Sequence, residues 1–265
     1  MAVDMGALTA DLAAESAELY EVLSVLAETD WHCDTPAAGW TVRDQVTHLA
    51  YFDEAATLSA TDPYRFRAEA EELMAGGADF PDRIAERFRD RSGAEVFGWL
   101  QRARREYLEV FGALDPATSL PWYGPPMSAA SSVTARLMET WAHGQDVVDA
   151  LGLVRRPTAR LRHVAHLGVR TLGWSFGLRG RPAPETPVRV ELTGPGGESW
   201  TWGPSDAVDR VTGNALDFCL LVTQRRHRSQ TGLAAEGPVA DAWLDLAQAY
   251  AGAPGPGRPP AEALR

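Results

Sequence analysis

The feature that most constrains this chain is a change of hydrophobic period near residue 180. Before it, apolar residues recur every three to four positions, as on one face of a helix; beyond it they alternate, as on a strand. Leu8, Leu12, Leu19, Leu23 and Leu26 mark one face of a first helix. A second begins at Thr41, where Thr-Val-Arg-Asp forms a capping box with Asp in the place of Glu, and its stripe runs Val42, Val46, Leu49, Ala56. Residues 64–91 read as short, charged helical pieces broken at Gly76, Gly77 and Pro81. A third long helix is expected over 94–114, stopping before Pro116, and a fourth over 128–151, ended by Gly152. Four such helices predict an antiparallel bundle.

Pro157 is expected to open a further helix over 157–176. After the Gly/Pro-rich stretch 180–187, Val188, Val190 and Leu192 alternate with Arg189 and Glu191, a Gly-Pro-Gly-Gly turn follows at 194–197, and 199–202 alternate again, which reads as a hairpin. Residues 205–226 read as a strand or turn and then an apolar helix, and 240–250 as a last helix. The fold class is therefore α+β. A helical bundle is expected over 1–178, a small α/β domain over 185–251, and a disordered Gly/Pro-rich tail over 252–265. Charge divides similarly: residues 1–152 carry 11 Arg against 26 acids, a net of −15, and 153–265 carry 14 Arg against 10, a net of +4.

All 25 basic residues are Arg. A chain without lysine can form no Schiff base, anchor no pyridoxal phosphate and carry no Walker-A lysine. A net charge of −11 argues against nucleic acid and anionic membranes as partners. Cys33 and Cys219 are too few for a disulfide framework. The acidic N-terminus has no signal-peptide pattern and no stretch is long and apolar enough to span a bilayer, so a cytoplasmic location is expected. The single Ile (Ile84) and single Asn (Asn214) point to a GC-rich genome.

The most pointed chemistry lies in the fourth helix, Met-Glu-Thr-Trp-Ala-His-Gly-Gln-Asp over 138–146. At 100° per residue Glu139, His143 and Asp146 share a face with Ser132, Ala135 and Ala150, while Val133, Leu137, Trp141, Val148 and Leu151 face the core. A Glu and a His four residues apart can hold one divalent metal, because their side chains meet one turn apart. His48, flanking the stripe of the second helix, is the best third ligand. Two His and one carboxylate leave positions open for water or substrate, which is the catalytic arrangement and not the closed structural one. Asp146 either orients His143 or faces water.

His48 within His-Leu-Ala-Tyr-Phe-Asp and the Glu-x-x-x-His of the fourth helix together resemble the DinB-like metalloprotein superfamily, and within it the mycothiol-dependent maleylpyruvate isomerase family. The segments around 39–53, 141–146 and 217–228 resemble the family as well, so the likeness spans nearly all the chain except its tail. The resemblance implies a DinB-like four-helix bundle holding a divalent metal, usually Zn²⁺, through His48, Glu139 and His143, then a small α/β domain. It implies mycothiol as co-substrate, a small electrophile as substrate, and often a homodimer. The GC-rich signature fits actinobacteria, which make mycothiol.

Other residues read as follows. Asp53 sits mid-stripe, where a carboxylate is costly unless it bonds an Arg or a ligand or is turned to the rim. Arg225 and Arg226, beside His227 and Arg228, form a solvated helix end from which one guanidinium could hold an anionic substrate. His163 and His166 belong to a surface or interdomain face. Trp122 and Tyr123 either line a pocket entrance or pin their loop. Cys33 beside His32 is no nucleophile pair, because adjacent side chains diverge, and Cys219 reads as core. Three functions remain: a thiol-using S-transferase or cis–trans isomerase; a metal-dependent hydrolase with Asp146 or Asp53 as base; and a non-catalytic metal- or ligand-binding module.

Overall fold

The structure is a computed structural model that describes residues 3–260. Its chain divides into two compact units, Met1–Arg155 and Arg156–Arg265. In the first, four long helices, α1 (Met5–Leu23), α2 (Val42–Thr61), α5 (Gly93–Gly112) and α6 (Ala129–Ala150), pack as a bundle, α2 against α5 and α6, and α1 against α6 and α5. The core joins stripe residues read from sequence, Leu19, Leu23, Val42, Val46 and Leu49, with Val96, Leu100 and Val147, which the sequence reading did not single out. Two short helices, α3 (Pro63–Ala75) and α4 (Phe80–Arg87), bridge α2 and α5. Pro81 does not break a helix here. It lies in the first turn of α4, where a missing N–H costs nothing.

Local rules place the helix starts. The Thr41 capping box is formed: Asp44 Oδ2 accepts from Thr41 N at 2.9 Å, and Thr41 Oγ1 from Asp44 N at 3.4 Å. Ser92 and Glu95 repeat the device at α5. Gly93 there is required by packing, since a Cβ would stand 2.3 Å from the Trp31 ring. Leu26 falls beyond the end of α1, and a short ladder, β1 (Ser119–Leu120) with β2 (Met127–Ser128), closes the loop before α6.

The second unit holds α7 (Leu161–Arg170), α8 (Leu172–Gly177), β3 (Val188–Thr193), β4 (Ser199–Trp202), β5 (Asp209–Asn214), α9 (Ala215–Val222), β6 (Ala234–Glu236) and α10 (Pro238–Leu246). The sheet order is β4-β3-β5-β6, with β3 parallel to β5 and the other pairs antiparallel. The expected hairpin is β3–β4, with Leu192 opposite Trp200.

Three expectations are corrected. The helix over 157–176 is two helices that start after Pro157, and they belong to the second unit, so the boundary lies at 155/156 and not at 178. The reason is close packing: α7 lies so near α9 that a Cβ on Gly168 would be 2.8 Å from Val222, and the Cys219 thiol reaches Leu161 O at 3.5 Å. The last helix starts at Pro238 and ends at Leu246. The stretch 252–260 lacks regular structure but is tied down: Gln248 Nε2 donates to Ala253 O at 3.2 Å and Arg179 to Gly255 O at 3.2 Å. Residues 261–265 of the expected tail lie outside the described residues. Among the described residues no helix is long and apolar enough to cross a membrane.

Candidate metal centre

Helices α2 and α6 bring the three expected ligands together. The capping box fixes where α2 begins, and hence puts His48 beside fully buried Leu49 at the edge of the apolar stripe. Glu139 and His143 lie one turn apart on α6. Glu139 Oε2 is 3.2 Å from His48 Nε2 and 3.0 Å from His143 Nε2. Their side chains are 20%, 14% and 11% exposed, enough for a ligand to reach and too little for free solvation.

The donor set fits a metal. A tetrahedral zinc site with bonds of about 2.0–2.1 Å has ligand-to-ligand edges of about 3.3 Å. The two edges from Glu139 Oε2 stand at nearly that spacing, and all three donor atoms lie within 4.8 Å of one another. Burial opposes charge on Glu139, but hydrogen bonds and charge from His143 and His48 outweigh it and hold its carboxyl well below the usual carboxylate range. Burial, reinforced by neighbouring His143, pulls His48 down to about 4 against the opposing effect of Glu139. An ionised carboxylate and a neutral imidazole are the states that metal binding requires.

Residues that the sequence did not single out complete the centre. Gln45 Oε1 lies 2.5 Å from His143 Nδ1 and is fully buried. Gln45, and not Asp146, therefore takes the outer nitrogen of His143, and Asp146 is buried and does not face water. Trp40 stacks on His143 (centroids 5.9 Å apart, planes at 19°) and lies 5.4 Å from the His48 ring. The Phe52 ring lies 4.6 Å from the His48 ring between centroids. The available signal was position: Gln45 precedes His48 by three residues on the same helix, so the two share a face.

Trp122 and Tyr123 pin their loop, for Trp122 stacks on Phe66 at 5.9 Å and Tyr123 on Phe80 at 5.2 Å. Asp53 is not turned to the rim. It is fully buried, with Arg104 Nε at 2.6 Å and Arg136 Nε at 2.9 Å. Arg104 continues to Ser16 Oγ and Thr140 Oγ1, and Arg136 to Leu49 O, so one cluster ties α1, α2, α5 and α6. Cys33 packs at the edge of the bundle core while the His32 ring turns toward Glu28, and burial pushes the Cys219 thiol up, out of reactive range.

In the second unit α9 ends in a left-handed Gln224 (φ 58°), after which Arg225 N and Arg226 N both donate to Leu220 O at 2.7 and 3.2 Å. Arg226, with Arg179, His227 and Arg228, lines a pocket of about 180 Å³ within that unit. His166 Nδ1 accepts from Trp202 Nε1 at 3.2 Å.

Comparison with known proteins agrees with the likeness read from the motifs. The mycothiol maleylpyruvate isomerase N-terminal domain family matches residues 12–148, and a wyosine base formation family matches residues 184–233. Uncharacterized proteins from two strains of Mycobacterium tuberculosis are 47% identical over 255 residues, covering 96% of this chain and 99% of theirs. The solved structure of a mycothiol-dependent maleylpyruvate isomerase superposes with a TM-score of 0.58 at 14% identity, and that of its His-to-Ala mutant with 0.60 at 13%. Each covers 89% of this chain and 95% of the solved one, and at such identity each shows a shared fold. Because the first match takes in 137 of 265 residues, including all three candidate ligands, this chain belongs to the mycothiol maleylpyruvate isomerase N-terminal domain family.

Proposed function

We propose that this chain is a divalent-metal enzyme, with zinc as its metal, that uses a low-molecular-weight thiol, mycothiol, to attack a small electrophile, with transfer of the sulfur or cis–trans isomerisation as the outcome. The observation that carries this reading is the convergence of His48 Nε2, Glu139 Oε2 and His143 Nε2 within 4.8 Å of one another, on a carboxylate kept ionised. When bound, the metal supplies a Lewis acid that favours the thiolate over the thiol at neutral pH.

The chain's own groups do the rest. Trp40 and Phe52 flank the two imidazoles and exclude water from their faces, which strengthens every charge interaction between them. Gln45 holds His143 in place. The hydrolytic alternative loses one of its bases, since Asp53 is committed to two guanidinium groups and cannot take a proton from water without leaving both.

The test is metal analysis of untagged protein followed by thiol titration. Near one zinc per chain, nearly none in His143→Ala, and a thiol that binds only the loaded protein are expected. No metal after reconstitution, or a metal indifferent to thiols, would overturn the proposal.

A further inference from the structure

We infer that Thr35, which touches no ligand, decides which nitrogen of His143 carries the ring proton and so leaves Nε2, the one facing Glu139, free for the metal. The inference rests on the metal centre proposed above and adds a positioning residue to it.

The Trp40 carbonyl can only accept. Thr35 Oγ1 lies 2.8 Å from it, with a second carbonyl, Ala37 O, at 3.5 Å, so the hydroxyl proton is spent on the loop backbone. What the hydroxyl has left are lone pairs, and Gln45 meets them at 2.8 Å. Only an amide NH₂ can donate there, so Nε2 of Gln45 faces Thr35 and Oε1 faces His143. Oε1 in turn only accepts, and at 2.5 Å from Nδ1 it holds the ring proton on that nitrogen. His143 Nε2 is thereby left with a lone pair, pointing at the ionised Glu139 Oε2 3.0 Å away. Two lone pairs at that distance repel, and the geometry calls for a cation between them, the place of the metal in the loaded protein.

The same loop carries Trp40. Thr35 N also donates to Trp40 O at 2.8 Å, and Val42 N to Cys33 O at 3.0 Å, so residues 33–42 form a closed loop. One end of it lays an indole on His143 and the other sets the tautomer of that ring. A disturbance of the loop is therefore felt at the metal without touching a ligand.

The experiment compares full-length wild type with Thr35→Val, Thr35→Ser and Gln45→Leu. In the metal-free proteins, ring nitrogen-15 shifts at a pH where His143 is neutral report its tautomer; zinc affinity is read by chelator competition. Wild type and Thr35→Ser are expected to hold the proton on Nδ1, whereas Thr35→Val and Gln45→Leu become tautomer mixtures and bind zinc ~10–100-fold more weakly, the usual loss for an outer-shell partner. A proton on Nε2 in the neutral wild-type ring, or wild-type tautomer and affinity in Thr35→Val, would overturn the inference. If wild type takes up no zinc while the tautomer still follows Thr35, the metal proposal fails and only the control of the His143 tautomer by Thr35 survives.

Discussion

Replacing Asp53 with Asn separates a structural role for that buried carboxylate from a catalytic one. Asp53 accepts three charge-assisted hydrogen bonds, from Arg104 Nε and Nη2 and from Arg136 Nε, at 2.6, 3.1 and 2.9 Å, and all three side chains are at most 4% exposed. The cluster already holds two cations to one anion. Asn keeps the shape, removes the only negative charge and turns an NH₂ toward a guanidinium. Breaking a buried pair in this way costs about 3–5 kcal/mol, because the surviving charge has no water to return to. At about 2–4 °C per kcal/mol for a chain of this size, the midpoint should fall by roughly 6–20 °C. Arg136→Met makes a useful contrast. It leaves Asp53 and Arg104 as a neutral pair and frees only Leu49 O, so its cost should be the smaller. Thermal unfolding of the metal-free proteins measures both. A loss within about 1 kcal/mol for Asp53→Asn would show that the charges are not mutually dependent and refute the reasoning. So would a larger loss for Arg136→Met.

Two further outcomes follow from the same site. Because His48 sits at about 4 in the folded chain against an ordinary 6.5, the unfolded chain takes up a proton first as pH falls, so stability drops between pH 6.5 and 4, by at most about 3 kcal/mol, and this group adds nothing below that; His48→Gln should flatten that slope in urea unfolding of metal-free protein, and an unchanged slope would contradict the assignment. Zinc held at ~100 times its dissociation constant should stabilise wild type by about 2.7 kcal/mol, and a chelator should remove the gain; His143→Ala should show neither effect by thermal unfolding, and a gain in that variant would place the metal elsewhere.

What the sequence determined by itself is what local rules encode. The period of Val42, Val46 and Leu49, the Thr41 capping box and the alternation at 188–192 each act over a few residues, and each appears in the structure where it was read. Glu139 and His143 are legible for the same reason, since a four-residue spacing on a helix is a distance. His48 was the best third ligand by its place beside the stripe and the family resemblance reinforced it, but nothing local ties it to a helix 91 residues away. Tertiary structure decided the rest. That Asp53 would find Arg104 and Arg136, 51 and 83 residues on, and that Gln45 rather than Asp146 would meet His143, 98 residues on, depends on how the helices rotate as they pack. A buried polar group must find a partner, but its type alone does not say which. The boundary at 155/156 was hidden likewise: α7 has the same apolar period whichever body it joins, and only its close approach to α9 at Gly168 and Val222 assigns it.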